Sequence, residues 1–264
     1  IKFRAICGES SSVNSETVSN WEEKCCQSFK AIPENILNAD ETGLFFRALP
    51  DKTLCFSGKA CSGGKLAKER LTVLLCASMA GEREKPLVIG KAAKPRCFKN
   101  MGIIKFGVDW KSNRKAWMIK EIMTEWLEQL DRKVNRQSRK VVLVLDNATS
   151  HPDIKLKNIN IVFLPPNVTS VSQPLDQGVI QNFKIKYMQL VMKRIVSELD
   201  KNEGSLQTLT KQLNVFQVIS WVTNAWKQVT VPTICGCFLK TGFRTTTDDC
   251  EMETEISDNM QVTQ

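Results

Sequence analysis

Apolar positions along the chain fall into two periods, one helical and one of strands. Val18, Trp21, Cys25 and Phe29 recur at helical spacing behind polar residues suited to an N-cap, which predicts a first helix. Asn35 to Asp40 predicts a short strand ending in the turn-like Asp40-Glu41-Thr42-Gly43. Thr53 to Phe56 and Arg70 to Met79 predict two more strands, the second almost wholly apolar, with a Gly/Lys-rich loop between them. Leu87 to Ile89 predicts a further short strand.

From Asn113 to about Arg132 the pattern is that of an amphipathic helix with Trp117, Ile122, Trp126 and Leu130 in one stripe and Ser112 or Asn113 as cap. The run VVLVLD at 141–146 has the continuous apolarity of a strand covered on both faces. Ile159 to Leu164 predicts a second such strand, stopped by Pro165-Pro166. Pro174 fits the first turn of a long helix reaching about Leu199. Ser205 to Val229 reads as helical, and a short CFLKTGF element follows with Gly242 as its C-cap. Trp117, Trp126, Trp221 and Trp226 sit at spacings that predict packing. Early strands, a helix, two buried strands and a long helix imply an α/β domain: a mixed sheet flanked by helices, with a C-terminal helical extension.

Length, composition and charge narrow the class. A chain of 264 residues can bury a large core, and 42% hydrophobic with 25% charged residues is ordinary for a soluble protein. No apolar run approaches the ~18–20 residues of a membrane span, and the start, Ile-Lys-Phe-Arg, lacks a signal peptide's apolar stretch. The first residue is not Met, so a fragment or mature product is expected. Net charge is +9, although Asp248, Asp249, Glu251, Glu253, Glu255 and Asp258 crowd a tail without Lys or Arg. The body is therefore more basic than the whole, a balance that suits a phosphate-bearing partner or serves solubility alone. The tail, 245–264, is expected to be disordered. The ten cysteines include the vicinal Cys25-Cys26 and a close pair at Cys235 and Cys237, and the one histidine is His151; this spacing fits neither a disulfide framework nor a zinc finger. Buried free thiols in the cytosol or nucleus are the expectation.

Three aspartates occupy similar places. Asp40 and Asp146 are expected at strand ends, and Asp176 in the first turn of the long helix, on the face of Ile180, Phe183 and Tyr187. If the first strand neighbours the 141–146 strand, the three converge. Crowded carboxylates repel one another unless hard divalent cations lie between them, and oxygen-only ligation suits Mg²⁺ or Mn²⁺. Two such ions support in-line phosphodiester displacement. Each aspartate also has a structural role open to it: Asp40 as a turn residue, Asp146 as a cap, Asp176 against the helix macrodipole.

Seven stretches, in order, carry a resemblance: NADETGLFFRALPDKTL (38–54), KERLTVLLCASMAG (68–81), KPLVIGKAAKPRCFKN (85–100), NRKAWM (113–118), VLVLDNATSH (142–151), FLPPNVTSVSQPLDQGVIQNFK (163–184) and AWKQVTVPTICGCFLKTGF (225–243). The chain resembles the DDE-superfamily endonuclease domain of Tigger, jerky and centromere-protein-B-like proteins, which descend from pogo transposases. The resemblance implies a ribonuclease-H-like fold with a triad of Asp40, Asp146 and Asp176 as catalytic residues and ligands of two Mg²⁺ or Mn²⁺ ions. It implies cutting of DNA at transposon ends and joining of the freed 3′-hydroxyl to target DNA, in the nucleus, by a homodimer on paired DNA ends. The chain departs from the family's usual pattern at Ala148-Thr149-Ser150, Gly107 and Trp110, none of them a proposed ligand.

On that basis residues 1–30 are expected to form a helical lead-in, 31–200 the catalytic domain, 201–244 the helical extension and 245–264 the acidic tail. The resemblance implies DNA-binding domains upstream of the region that this chain matches. His151, Lys59, Lys65, Lys68, Arg70, Lys91, Lys94 and Arg96 are candidate DNA contacts, with a structural loop histidine and a solvated basic face as their alternatives. Glu41 is expected to point away from Asp40 by strand alternation. The rival to an active transposase is a domesticated DNA-binding or chromatin protein without turnover; a metal nuclease acting on RNA is the third option.

Overall fold

The computed structural model describes residues 32–47, 69–98, 107–165, 169–201 and 206–243. The helix expected over Val18–Phe29, the strand over Thr53–Phe56, the acidic tail, and Lys59, Lys65 and Lys68 lie outside the described residues.

Six strands form one mixed sheet in the order β4-β3-β2-β1-β5-β6. They are β1 (Ile36–Leu44), β2 (Leu71–Ser78), β3 (Leu87–Gly90), β4 (Asp109–Ser112), β5 (Val141–Leu145) and β6 (Ile159–Phe163). β1, β2 and β3 pair antiparallel in sequence order, and β5 and β6 then run parallel to β1. An antiparallel meander that continues into parallel strands on the far side of β1 is the ribonuclease-H-like sheet that the resemblance implies.

Helices cover both faces. On one lies α1 (Lys120–Arg136), whose Ile122, Met123, Trp126, Leu127, Leu130 and Val134 pack on Leu37, Ala39, Leu74, Leu143 and neighbouring sheet residues. The other face carries α3 (Val179–Asp200), α5 (Val215–Gln228) and α6 (Val231–Lys240), preceded by the one-turn α2 (Thr169–Ser172) and by α4 (Leu206–Gln212). Phe183, Tyr187, Val191, Val222, Trp226 and Phe238 from these helices share a core with Ile36, Val73, Leu75 and Val144. With apolar layers on both faces, β2 is buried at all eight positions, which explains its uninterrupted apolar run.

Four boundaries differ from expectation for local reasons. β1 runs on through Asp40-Glu41-Thr42-Gly43, because β2 pairs with it as far as Leu44–Leu71; Asp40 is therefore mid-strand and not at a strand end. α1 starts at Lys120, since the Asn113 side chain bonds the amides of Lys115 and Trp117 and folds a loop instead of capping a helix. The long helix starts at Val179: Pro174–Gln177 is a separate 3₁₀ turn, broken from α3 by Gly178 at φ +144°. The 205–229 segment divides at Leu213-Asn214, where Asn214 and Gln217 form a reciprocal capping box for α5.

Candidate active site

The strand ladders explain where the acidic residues meet. β1 pairs with β5 only from Ile36–Val142 to Asn38–Val144, while its ladder with β2 continues to Leu44. Beyond Asn38, β1 and β5 part company. The chain leaves β1 toward β2 and leaves β5 toward β6, so the split is a topological switch point, where α/β sheets bind ligands beyond the carboxyl ends of their strands. The register offset carried on past Asn38 sets Asp40 level with Asp146. Both lie on the α3 face by alternation from Asn38 and Val144.

Asn38 supplies the third edge. Wholly buried, it donates from Nδ2 to the Val144 carbonyl at 3.0 Å and accepts at Oδ1 from the Leu175 amide at 2.9 Å. One side chain thus ties β1, β5 and the 3₁₀ turn together and brings Asp176 to the split. Burial holds the Asp40 carboxyl well above the usual carboxylate range, and the charges of Asp176, Glu41 and Asp146 push it further the same way. Gln173, fully buried beside Asp40, eases that push, although neither of its amide atoms makes a hydrogen bond of normal geometry. Asp40 forms a buried floor and Asp176 an exposed rim. Among the described residues no three His, Cys, Asp or Glu side chains are already closed into a metal-binding cage. The carboxylates act on one another without converging on a common point.

His151 is committed locally. Its Nδ1 lies 2.7 Å from Asp146 Oδ1 and 3.1 Å from the Asp146 carbonyl oxygen. Nε2 lies 3.0 and 3.2 Å from the two carboxylate oxygens of Glu41. With both ring nitrogens donating, the imidazole is a cation: burial alone would lower its pKa, yet the bonds to Asp146 and Glu41 push it up to about 10. In return, although burial opposes it, His151 holds the Asp146 carboxyl below its ordinary value. Glu41 lies on the other face of β1 from Asp40 and still takes part in the site. Its backbone amide donates to Asp40 Oδ1 at 2.7 Å, its carboxylate reaches His151, and its charge acts on Asp40.

Lys91, Lys94 and Arg96 are exposed in the loop that follows the C-terminal end of β3, at the same end of the sheet as Asp146. Arg70 precedes β2 at the same end of the sheet, with its guanidinium carbon 4.9 Å from the centroid of the Trp117 ring. Of the tryptophans expected to pack, Trp126 and Trp226 are buried and Trp221 packs edge-on to Tyr187, but Trp117 is 54% exposed. Sequence reasoning passed over Asn38 and Gln173; the only sign available was a polar residue within an apolar strand or at a helix start.

A mixed sheet of this topology with acidic residues at its switch point defines a ribonuclease-H-like domain with an acidic site. Residues 68–238 match the DDE superfamily endonuclease family, and the chain belongs to it. It is 37% identical over 214 residues to the Tigger transposable element-derived protein 4 of Mus musculus, covering 80% of this chain and 40% of that protein. It is 32% identical over 266 residues to the CENP-B homolog protein 2 of Schizosaccharomyces pombe, covering 91% of this chain and 50% of that one. The chain thus spans about half the length of these relatives, or less. Among solved structures, the Mos1 strand transfer complex resembles it with a TM-score of 0.46 at 14% identity, over 92% of this chain and 66% of that one.

Proposed function

We propose that this chain is the catalytic domain of a Tigger/pogo-type transposase, a divalent-metal-dependent endonuclease and strand transferase that cuts DNA at transposon ends and joins the freed 3′-hydroxyl to target DNA. The observation that carries this is the placing of Asp40 among the charges of Asp146 and Asp176 at the split between β1 and β5, in a chain of the endonuclease family. The residues fit hard cations: the donors are carboxylate oxygens, their mutual repulsion lacks a compensating cation at Asp40, and the buried Gln173 amide beside it has unmet hydrogen-bonding capacity.

Asp40, Asp146 and Asp176 would hold two Mg²⁺ or Mn²⁺ ions, which supply an activated nucleophile and stabilise the leaving oxygen of an in-line displacement. The protein's own contribution is positioning. Asn38 fixes the 3₁₀ turn that carries Asp176, and His151 orients Asp146 from the side opposite the crevice floor while Glu41 holds the imidazole. Lys91, Lys94 and Arg96 serve the phosphate backbone. With DNA as the substrate, the nucleus is the place of action and a homodimer on paired ends the working form. Among the described residues no helix is long and apolar enough to cross a membrane.

One observation favours a second reading, a domesticated DNA-binding or chromatin-associated protein: Asp146 is already paired with a cationic His151. The test is a supercoiled plasmid carrying cognate transposon ends, incubated in Mn²⁺ with this chain fused to a DNA-binding domain that recognises those ends. Nicking that needs the metal and falls at least about a hundredfold in Asp146→Ala is expected. DNA binding without nicking by the unaltered protein would establish the silent reading instead.

A further inference from the structure

We propose that Trp117 and Arg70 form a platform that stacks an unpaired base of the DNA strand running through the acidic crevice. This rests on the reading of the chain as a DNA-cutting domain and assigns a new binding site beside its carboxylates. Trp117 is held out of the core by several independent constraints. Asn113 Oδ1 accepts from the Trp117 amide at 3.2 Å and Asn113 Nδ2 donates to the Trp117 carbonyl at 2.5 Å. Preceding it, Ala116 is fully buried in a left-handed conformation at φ +53°, and its carbonyl accepts a 2.7 Å bond from Thr72 Oγ1. The loop is therefore bolted to β2, and the indole stays 54% exposed beside the Arg70 guanidinium.

The location gives this pair its partner. Thr72 pairs with Gly43 in the β1–β2 ladder, and a Cβ on Gly43 would sit only 2.9 Å from Arg70 Nε. Gly43 shares a face of β1 with Glu41, the ligand of His151, two residues back or ~7 Å along the strand. Asp40 faces the α3 side of β1 and Gly43 the α1 side, so the platform connects to the carboxylates through Glu41 and His151, which reaches Asp146. A strand whose phosphate lies at Asp146 thus has Glu41 and then the Arg70–Trp117 pair along this side of β1. Exposed Arg114, Lys115 and Lys120 flank Trp117 in the chain and offer positive charge to the adjoining phosphates. Arg70 Nε is buried against Gly43, which holds the guanidinium in place beside the indole. Aromatic and guanidinium planes both stack bases, and such stacking requires that the base be out of its pair. An acidic or apolar peptide would also take to an exposed Trp-Arg pair, but nearness to the carboxylates favours the nucleotide.

The experiment needs no cleavage. The full chain is titrated, in buffer containing a chelator, into a short duplex with an unpaired single-stranded flank carrying 2-aminopurine, and into the same duplex with blunt ends. The unaltered protein is expected to quench the 2-aminopurine. Trp117→Ala should abolish the quench and weaken binding to the flanked duplex by about tenfold while leaving blunt-duplex binding unchanged. Trp117→Phe should restore most of both, which separates stacking from misfolding. Gly43→Ala, by displacing the guanidinium, should lose part of the quench. No quench by the unaltered protein, an undiminished quench by Trp117→Ala, or equal losses on flanked and blunt DNA would overturn the platform. Because metal and nicking play no part, a failed nicking assay with an intact quench counts against catalysis alone, and the reverse result against the platform alone.

Discussion

Asp40 shows how much one side chain's surroundings decide. Its carboxylate is buried in the company of three other negative groups and lacks a full counter-charge, so the fold is under electrostatic strain there in the absence of metal. Asp40→Asn, which keeps the shape and removes a charge, should raise the melting temperature of the metal-free protein at neutral pH by a few degrees while abolishing nicking. A lowered melting temperature in calorimetry would mean that the charge is compensated. The opposite sign is expected at His151: His151→Ala leaves Glu41 and Asp146 facing each other without their shared cation and should cost about 2–4 kcal/mol in urea unfolding. Asn38→Ala orphans the Leu175 amide and the Val144 carbonyl together. A loss of about 2–3 kcal/mol is expected, with a larger proportional loss of activity because Asp176 is no longer held to β1.

At the scale of elements, Gly178 separates the 3₁₀ turn from α3 at a φ of +144° that L side chains rarely adopt. Gly178→Ala should destabilise by about 1–3 kcal/mol in chemical denaturation, chiefly through the backbone, since the new Cβ would meet only Cys237 Sγ at 3.4 Å. A neutral result would show that the break tolerates a relaxed geometry. The same break is hidden in the sequence pattern: Pro174 does open a helical turn, and a glycine one turn later is compatible with a continuous helix until its φ is known. Long apolar runs such as β2 and VVLVL were legible because burial on both faces leaves no other composition available. β4 was not, since Asp109–Ser112 is a half-buried edge strand of mixed polarity defined by its pairing with β3. The start of α1 was misplaced for a related reason: Asn113 looks the same whether it caps a helix or folds a loop.

For the molecule as a whole, two helical layers bury both faces of the sheet and the thiols within them. Burial raises the Cys76 thiol well above its ordinary pKa, and Glu84 adds to this; Cys237 is raised by burial as well. Native protein should therefore leave Cys76 unmodified by iodoacetamide at pH 8 for hours, with rapid labelling on denaturation, as read by peptide mass. Early labelling would show the α1 layer opening. The site is more dispersed than the fold in sequence terms. The three aspartates could be named from the residues and the family resemblance, whereas their ties through Asn38, Gln173, Glu41 and His151 depend on where β1 and β5 diverge, which no local pattern encodes. The proposed chemistry requires those three carboxylates to share divalent ions, and Mn²⁺ binding followed by electron paramagnetic resonance tests that sharing most directly. Free Mn²⁺ signal should fall as the unaltered protein is added, and Asp40→Asn, Asp146→Asn and Asp176→Asn should each weaken that uptake at least about tenfold. Uptake that is absent in the unaltered protein, or undiminished when any one of the three is changed, would contradict it.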